Sequence, residues 1–440
     1  MMGIIKLSRS TRIEQSSNLR RAAFAACVGT IIEWYDYSLY GAAAGLVINV
    51  LFFPGMSSAN SILAAFATFA VGYFIRPLGG VVIAHLGDAI GRKPALVFSI
   101  TLMGAATTAM GLLPDYAHIG IAAPLLLVLL RLLQGFGAGA ELAGAITLIA
   151  EYAPENRRGF YASLPLASIS VGITLGTLGF LAVAILPDKT LYGWAWRIPF
   201  LVSALLFGVA LFIRSSLDET PEYRTAVERA ERRELEHKVP LGELLRNSPL
   251  NVFLGFLSVS GHNATAYLLS AFAMSYMTHT LGMARGDGLI ATVITAFLGI
   301  FGTVIGGALA DRIGNARVFS LGAGFMLLFS FPLFWMLDTR NFILATTGMG
   351  IASLIGVGGM TGGQGAFLVN LFPTRYRFSG IAVARELNGM LIAGPTPLIA
   401  SALVAYAEGR PTYVALYLMG CCTMTVLSIA AICWRSRHAD

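Results

Sequence analysis

Charge is what this sequence has least of. Only 12% of its 440 residues are Asp, Glu, Lys or Arg, against about 25% in an ordinary soluble domain. A soluble chain of this length could not cover its surface with so few charges, which excludes an ordinary cytoplasmic enzyme and a disordered protein. Cysteine is scarce as well. Cys27, Cys421, Cys422 and Cys433 all lie in apolar stretches, with neither metal-ligand nor disulfide spacing, so they read as small packing residues. There is no Gly-x-x-x-x-Gly-Lys-Ser/Thr loop to cradle phosphates and no Gly-x-Ser-x-Gly elbow, so ATP-driven transport and serine hydrolysis lack their machinery. The 49 glycines and 17 prolines follow no three-residue period, which excludes collagen and fits closely packed membrane helices.

What remains is apolar: 56% of residues are hydrophobic and the mean hydropathy is +0.73. A bilayer core takes about 20 helical residues, and runs of that kind recur twelve times, near 22–50, 60–86, 95–113, 120–150, 160–186, 195–215, 250–280, 288–310, 317–337, 342–370, 379–405 and 411–434. The first run is too long for the core of a signal peptide and reads as a retained span. The expected fold is an all-α polytopic membrane protein of twelve transmembrane helices in two six-helix halves. Its expected divisions are an N-terminal segment at 1–21, a first half at 22–216, a polar linker at 217–249, a second half at 250–434 and a tail at 435–440.

The net charge of +7 is not gathered into one exposed basic domain, so no nucleic-acid partner is expected. Most Lys and Arg fall instead in alternate loops, among them Arg92 and Lys93, Arg157 and Arg158, Arg312 and Arg317, and Arg375 and Arg377. By the positive-inside rule those loops and both termini are cytoplasmic, as an even number of spans requires. A bacterial-type plasma (inner) membrane is the expected location, with the lipid bilayer as solvent and a monomer as the working unit.

The halves echo each other. Gly87-Asp88-Ala89-Ile90-Gly91-Arg92-Lys93 after the second span is matched after the eighth by Gly307 through Asp311-Arg312-Ile313-Gly314. Glycines there let helix ends approach, and the acid can accept hydrogen bonds from a neighbouring helix N-terminus. Asp88, Arg92, Asp311 and Arg312 are therefore candidates for a cytoplasmic gate. Two related halves around a central substrate site is transporter architecture.

With these motifs the chain resembles the major facilitator superfamily, and within it the metabolite:proton symporter group of shikimate, alpha-ketoglutarate, citrate and proline/betaine carriers. The residues that carry the resemblance are Glu33-Trp34-Tyr35-Asp36 in span 1 and Arg76-Pro77-Leu78-Gly79-Gly80 in span 2. Next come Gly87 through Lys93, then Arg131-Leu132-Leu133-Gln134-Gly135 through Glu141 in span 4. Trp196-Arg197-Ile198-Pro199, Glu219-Thr220-Pro221-Glu222 and Phe372-Pro373-Thr374-Arg375 complete the set.

The ionisable groups inside the spans carry the functional expectation, because a charge at membrane depth is costly and usually faces a cavity or a partner. Glu33 and Asp36, three residues apart, are expected on one face of span 1 with Tyr37 and Tyr40. Arg131 is a permanent cation able to pair with either acid or with a substrate carboxylate, and the resemblance associates its Arg-x-x-Gln-Gly motif, and so Gln134, with proton transfer. Arg76 precedes Pro77, which can break the helix, and the resemblance makes it a candidate carboxylate ligand. Glu141 lies nearly three turns beyond Arg131 and is read as a proton relay or a helix contact. Arg197 reads equally as an interfacial anchor.

The second half departs from the family pattern. Asn370 stands where an acid usually precedes Phe-Pro, Asn315 and Ala316 stand where a basic pair is usual, and Arg385-Glu386 stands where uncharged residues are. That last pair is expected to bond to each other or to neighbours, or to extend the substrate site. His262, Asn263 and Gln364 are weaker candidates for hydrogen bonding a polar substrate. Thr177, where the superfamily's antiporters carry a proline, favours symport.

The function expected from these features is import of a small organic acid in symport with protons by alternating access. Proton coupling falls to Glu33, Asp36, Arg131 and Glu141. Substrate binding falls to Arg76, Arg131, Tyr37, Tyr40, Gln134, Arg385 and Glu386. No metal or cofactor is expected apart from the coupling proton, and no enzymatic activity. The alternative is a carrier of zwitterionic solutes such as proline or betaine, for which the tyrosine cluster would supply an aromatic cage. A transporter-like sensor is disfavoured by the short stretch after Trp434.

Overall fold

In a computed structural model the chain is described over residues 9–90, 92–138, 153, 155–217, 241–373 and 377–438. Those residues are overwhelmingly helical and include no strand. In chain order the long helices are α1 (Arg9–Ala43), α2 (Ser58–Phe74, continued by Arg76–Ile90), α3 (Arg92–Leu112), α4 (Ala122–Gly137), α5 (Arg158–Ala184) and α6 (Ile198–Leu217). In the second half they are α7 (Pro249–Thr280), α8 (Arg285–Ile313), α9 (Asn315–Asp338), α10 (Phe342–Leu371), α11 (Arg377–Asn388, continued by Thr396–Tyr406) and α12 (Thr412–His438). Eight of these, α2, α5 and α7 to α12, contain stretches long and apolar enough to cross a membrane, and α3, α4 and α6 contain shorter apolar stretches. Of the expected linker, 218–240 lies outside the described residues, as do 139–152 of the expected fourth span.

Local chemistry sets several boundaries. Ser57 caps α2 by accepting from the Asn60 amide at 3.3 Å, and Asn341 caps α10 by accepting from Ile343 and Leu344, each satisfying amides that a helix start leaves without partners. Gly314 takes φ +98° between α8 and α9, a conformation open to glycine and costly for side chains with a Cβ.

Glycine also fixes the spacing of helices. A Cβ on Gly135 would lie 1.9 Å from Gly72 O, so α4 and α2 touch backbone to backbone. In the second half a Cβ on Gly302 would lie 2.3 Å from Leu354 O, setting α8 just as close to α10. The two halves thus repeat one contact at equivalent places.

Two cores form, each centred on one half. Tyr37, Phe66, Phe69, Phe180 and Trp196 anchor one, which Tyr267 and Met274 of the second half join. Phe272, Phe319, Met326 and Phe334 anchor the other, which Ala162 and Leu166 of α5 join. Among the described residues α5 and α8 make the most extensive helix contact and join the halves, supported by α2 against α11. Large apolar side chains such as Leu205, Leu328 and Trp335 remain exposed on the outside of the bundle, as a lipid-facing surface requires.

Candidate functional site

The centre of the bundle holds charges that the sequence placed on separate helices. α2 is interrupted at Ile75, just before Arg76-Pro77, where proline cannot supply an amide hydrogen. Arg76 is 5% exposed and turns inward. Its Nη2 donates to Glu33 Oε1 at 3.0 Å and to Ala138 O at 3.3 Å, while its Nε donates to Glu386 Oε2 at 3.1 Å. The guanidinium also lies over the rings of Tyr37 and Tyr73, 5.1 and 5.4 Å from their centroids. One buried cation is thereby shared between a carboxylate of α1 and a carboxylate of α11. A buried charge without such partners would be strongly destabilising.

Arg131 heads a second network. It is fully buried, donates to Gln134 Oε1 and to Phe69 O at 3.0 Å, and sits over the Tyr40 ring, 4.0 Å from its centroid. Gln134 Nε2 donates to Thr107 Oγ1 at 2.8 Å, and Thr107 donates to Asp36 Oδ2 at 3.0 Å. Ser203 donates to the other Asp36 oxygen at 2.6 Å. Tyr40 donates to Thr68 Oγ1 at 2.6 Å, since Thr68 spends its own hydrogen on Ala65 O.

Glu33 and Asp36, a net ~60° apart around the helix, have different partners: Glu33 bonds to Arg76 of α2, and Asp36 accepts from Thr107 of α3 and Ser203 of α6. Arg131 is not ion-paired to Asp36 directly. It reaches that acid through Gln134 and Thr107, and the cation bonded directly to Glu33 is Arg76.

Beside the charges lies a small cavity of about 50 Å³. Both halves line it, with Trp34, Ser170 and Ile173 from the first and His262, Asn263, Tyr267, Thr292, Thr295, Ser353, Thr361 and Arg385 from the second. Asn263 Nδ2 donates to Asn388 Oδ1 at 2.6 Å, and Asn388 is held in turn by Ser260 and Phe256 O. Tyr73 donates to Tyr267 across the halves at 2.8 Å. Arg385 and Glu386 do not pair with each other, because neighbours on a helix point about 100° apart. Glu386 turns to Arg76, while Arg385 is among the residues lining the cavity and its Nη1 is buried without a hydrogen-bond partner.

At the start of α5, Asp311 of α8 accepts from the amides of Gly159 and Phe160 at 2.6 and 2.9 Å. These are the first-turn amides of α5, a favourable place for a carboxylate. Arg312 is exposed beside it. The side chains of Asp88 and Arg92 lie outside the described residues, and so does Glu141. At the opposite end His279 Nε2 donates to Gly45 O at 2.6 Å, joining α7 to the π-helical stretch that follows α1. There Arg285 also bonds to Asp188 and reaches Tyr192. Arg197 donates to Leu113 O at 3.2 Å and covers Trp196. Gln364 is fully buried and does not line the cavity.

Sequence reasoning missed the hydroxyl side of the cavity. Ser170, Thr292, Thr295, Ser353 and Thr361 sit among apolar neighbours, and the available signal was spacing. Thr292 and Thr295 are three apart, so they share a helix face, and Ser353 and Thr361 are eight apart on another.

Comparisons with known proteins show the family. The family description that matches residues 26–397 is the Major Facilitator Superfamily. The shikimate transporter of Escherichia coli (strain K12) is 36% identical over 94% of both chains. The glycine betaine/proline/ectoine/pipecolic acid transporter OusA of Dickeya dadantii (strain 3937) is 34% identical, covering 92% of this chain and 82% of its own. Among solved structures, that of a D-xylose-proton symporter superposes with a TM-score of 0.71 at 20% identity, over 94% of this chain and 96% of that one. That likeness concerns the fold alone, and it implies twelve helices in two pseudo-symmetric halves. The chain belongs to the Major Facilitator Superfamily and is a multi-pass membrane transporter, not an enzyme.

Proposed function

We propose that the carrier imports a small organic acid together with protons by alternating access, with both termini on the cytoplasmic face of a bacterial inner membrane and a monomer as the working unit. The observation that carries this reading is Arg76, a buried cation bonded to Glu33 of one half and Glu386 of the other. Protonation of either carboxylate releases a guanidinium donor. A substrate carboxylate can then take its place, and the neutralised cluster can cross the low-dielectric seam that would oppose an uncompensated charge. Relatives named for shikimate and for betaine or proline transport fit a site of this kind.

In this scheme Glu33, Asp36 and Glu141 carry protons and Arg131 holds the balance of charge around Asp36. Arg76, Arg131, Arg385, Glu386, Gln134, Tyr37 and Tyr40 shape the substrate site. Asp311 with Arg312, and Asp88 with Arg92, latch the cytoplasmic end. The zwitterion reading is weakened by one feature: guanidinium groups already cover the faces of Tyr37, Tyr40 and Tyr73, so those rings are not free to cage a quaternary ammonium.

Uptake by the purified carrier in proteoliposomes tests the reading. Shikimate accumulation should rise several-fold under an inside-alkaline gradient and collapse with a protonophore. Uptake of betaine, with carboxylates neither transported nor inhibitory, would reverse the order of the two readings.

A further inference from the structure

A neutral imidazole has one nitrogen that donates a hydrogen bond and one that accepts. In His262 a chain of side-chain amides decides which is which. The chain starts at the backbone carbonyl of Phe256 in α7, which can only accept. Asn388 of α11 is fully buried and turns its Nδ2 to that carbonyl at 2.8 Å and to Ser260 Oγ at 2.9 Å. Ser260 has given its own hydrogen to Phe256 O, so it too accepts. With Nδ2 fixed in this way, Asn388 Oδ1 is the acceptor that meets Asn263, which presents its Nδ2 at 2.6 Å. Asn263 Oδ1 is then the atom 3.1 Å from His262 Nδ1. An amide oxygen cannot donate, so Nδ1 carries the hydrogen and Nε2 of the neutral ring keeps a free lone pair.

Nε2 has no hydrogen-bond partner among the described residues. His262 lines the cavity between the halves, and Nε2 is not one of the atoms sealed in the interior without a partner, as Arg385 Nη1 is. Both helices that carry the chain are irregular at this point. α7 breaks at Val259, and Asn388 is followed at once by the π-helical Gly389–Ala393 of α11, a distortion that recurs at functional sites. Two amides and a serine hydroxyl are thus spent on orienting one ring, whose other nitrogen bonds to nothing of the protein's own. A cavity of about 50 Å³, at about 10–15 Å³ for each water-sized probe, admits a polar group of a few atoms. Trp34 and Ser170 of the first half line the same space, so a group lodged there touches both halves. We infer that His262 is a specificity-determining residue of the carrier. Its Nε2 accepts a hydrogen bond from an O–H or N–H of the transported solute, and Asn263 and Asn388 are positioning residues that hold the acceptor in place. The inference deepens the reading above and rests on it only for the identity of the solute.

Solid-state nitrogen NMR of the carrier in lipid vesicles, labelled at histidine and asparagine, tests it, because a ring nitrogen bearing hydrogen and a bare one resonate far apart. The chain has six histidines. The signals of His262 are assigned by their loss in His262→Gln and, independently, by their through-space correlation with the Asn263 side chain. Nδ1 should carry the hydrogen and Nε2 should be bare. Saturating shikimate should move Nε2 into the hydrogen-bonded range and leave Nδ1 in place. In uptake, His262→Leu should raise KM for shikimate about fivefold, the worth of one neutral hydrogen bond. His262→Gln, which keeps an acceptor oxygen, should recover part of that loss. Hydrogen on Nε2, in a neutral or a cationic ring, overturns the inference. Shikimate that raises the melting temperature without moving Nε2 also overturns it and leaves the organic-acid reading standing. A carrier that shikimate does not stabilise turns against the acid reading instead, and proline, whose ammonium has hydrogens to give, then decides for His262. An Nε2 signal that proline moves supports the inference, and one indifferent to both solutes overturns it.

Discussion

Arg76 of α2 and Glu386 of α11 meet 3.1 Å apart across the seam between the two halves. The same guanidinium holds Glu33 of its own half at 3.0 Å. A group shared in this way ties conformation to charge, because parting α2 from α11 breaks a buried ion pair unless a proton or an anion compensates. The cost of breaking it uncompensated runs to several kcal/mol, enough to couple the movement of the halves to the state of the site.

Glu386→Gln removes that tie while Arg76 keeps Glu33. Stability of the substrate-free protein should fall by about 1.5–3 kcal/mol, the range of a hydrogen bond to a charged group, read by unfolding in detergent. An unchanged midpoint would mean that the cross-half pair contributes nothing to the resting state.

Thr107→Val cuts the relay from Gln134 to Asp36 without changing the volume at that site greatly. Ser203 still holds the other carboxylate oxygen, so folding should survive. Uptake driven by an imposed pH gradient should drop by about tenfold, the equivalent of one buried charge-assisted hydrogen bond. Counterflow of labelled substrate at equal pH should drop less. A parallel loss in both assays would make the threonine a packing residue.

Asp311→Ala removes the acceptor for the Gly159 and Phe160 amides. Loss of a helix cap costs about 0.5–2 kcal/mol, and hydrogen exchange at the start of α5 should accelerate accordingly. Asp311→Asn, which keeps an acceptor oxygen, should fall between the two. Unaltered exchange in Asp311→Ala would separate this residue from any latch.

Gly135→Ala should fail to assemble or lose well over the ~1–3 kcal/mol typical of overpacking, because the new Cβ would fall 1.9 Å from a backbone oxygen. Gly208→Ala is the control. Nothing lies within 4 Å of a Cβ there, and expression and melting temperature should stay at wild-type values or rise slightly.

The fold was legible because membrane helices write themselves in composition and in the placement of Lys and Arg. The individual charges were legible too, since a lone Arg76, or an Arg385-Glu386 pair, in an apolar run has few explanations. Their pairing was not. Which of Glu33 and Asp36 meets which arginine depends on helix rotation, and spacing gives a residue's face but not the helix opposite. Likewise Arg385 and Glu386 are neighbours in sequence yet point to different surroundings. The threonines of α8 and α10 went unremarked because a hydroxyl in an apolar helix commonly satisfies itself on its own backbone, as these do. Only the cavity beside them marks them as part of a site.

The central claim is that acid and proton move together through the Glu33–Arg76–Glu386 cluster, and proton movement itself tests it most directly. Proteoliposomes loaded with a pH-sensitive dye and given external shikimate without an imposed gradient should acidify inside as the acid enters. The Glu33→Gln variant should bind the acid but leave the internal pH unmoved. Wild-type vesicles that accumulate the acid while their interior stays at its starting pH would contradict proton symport.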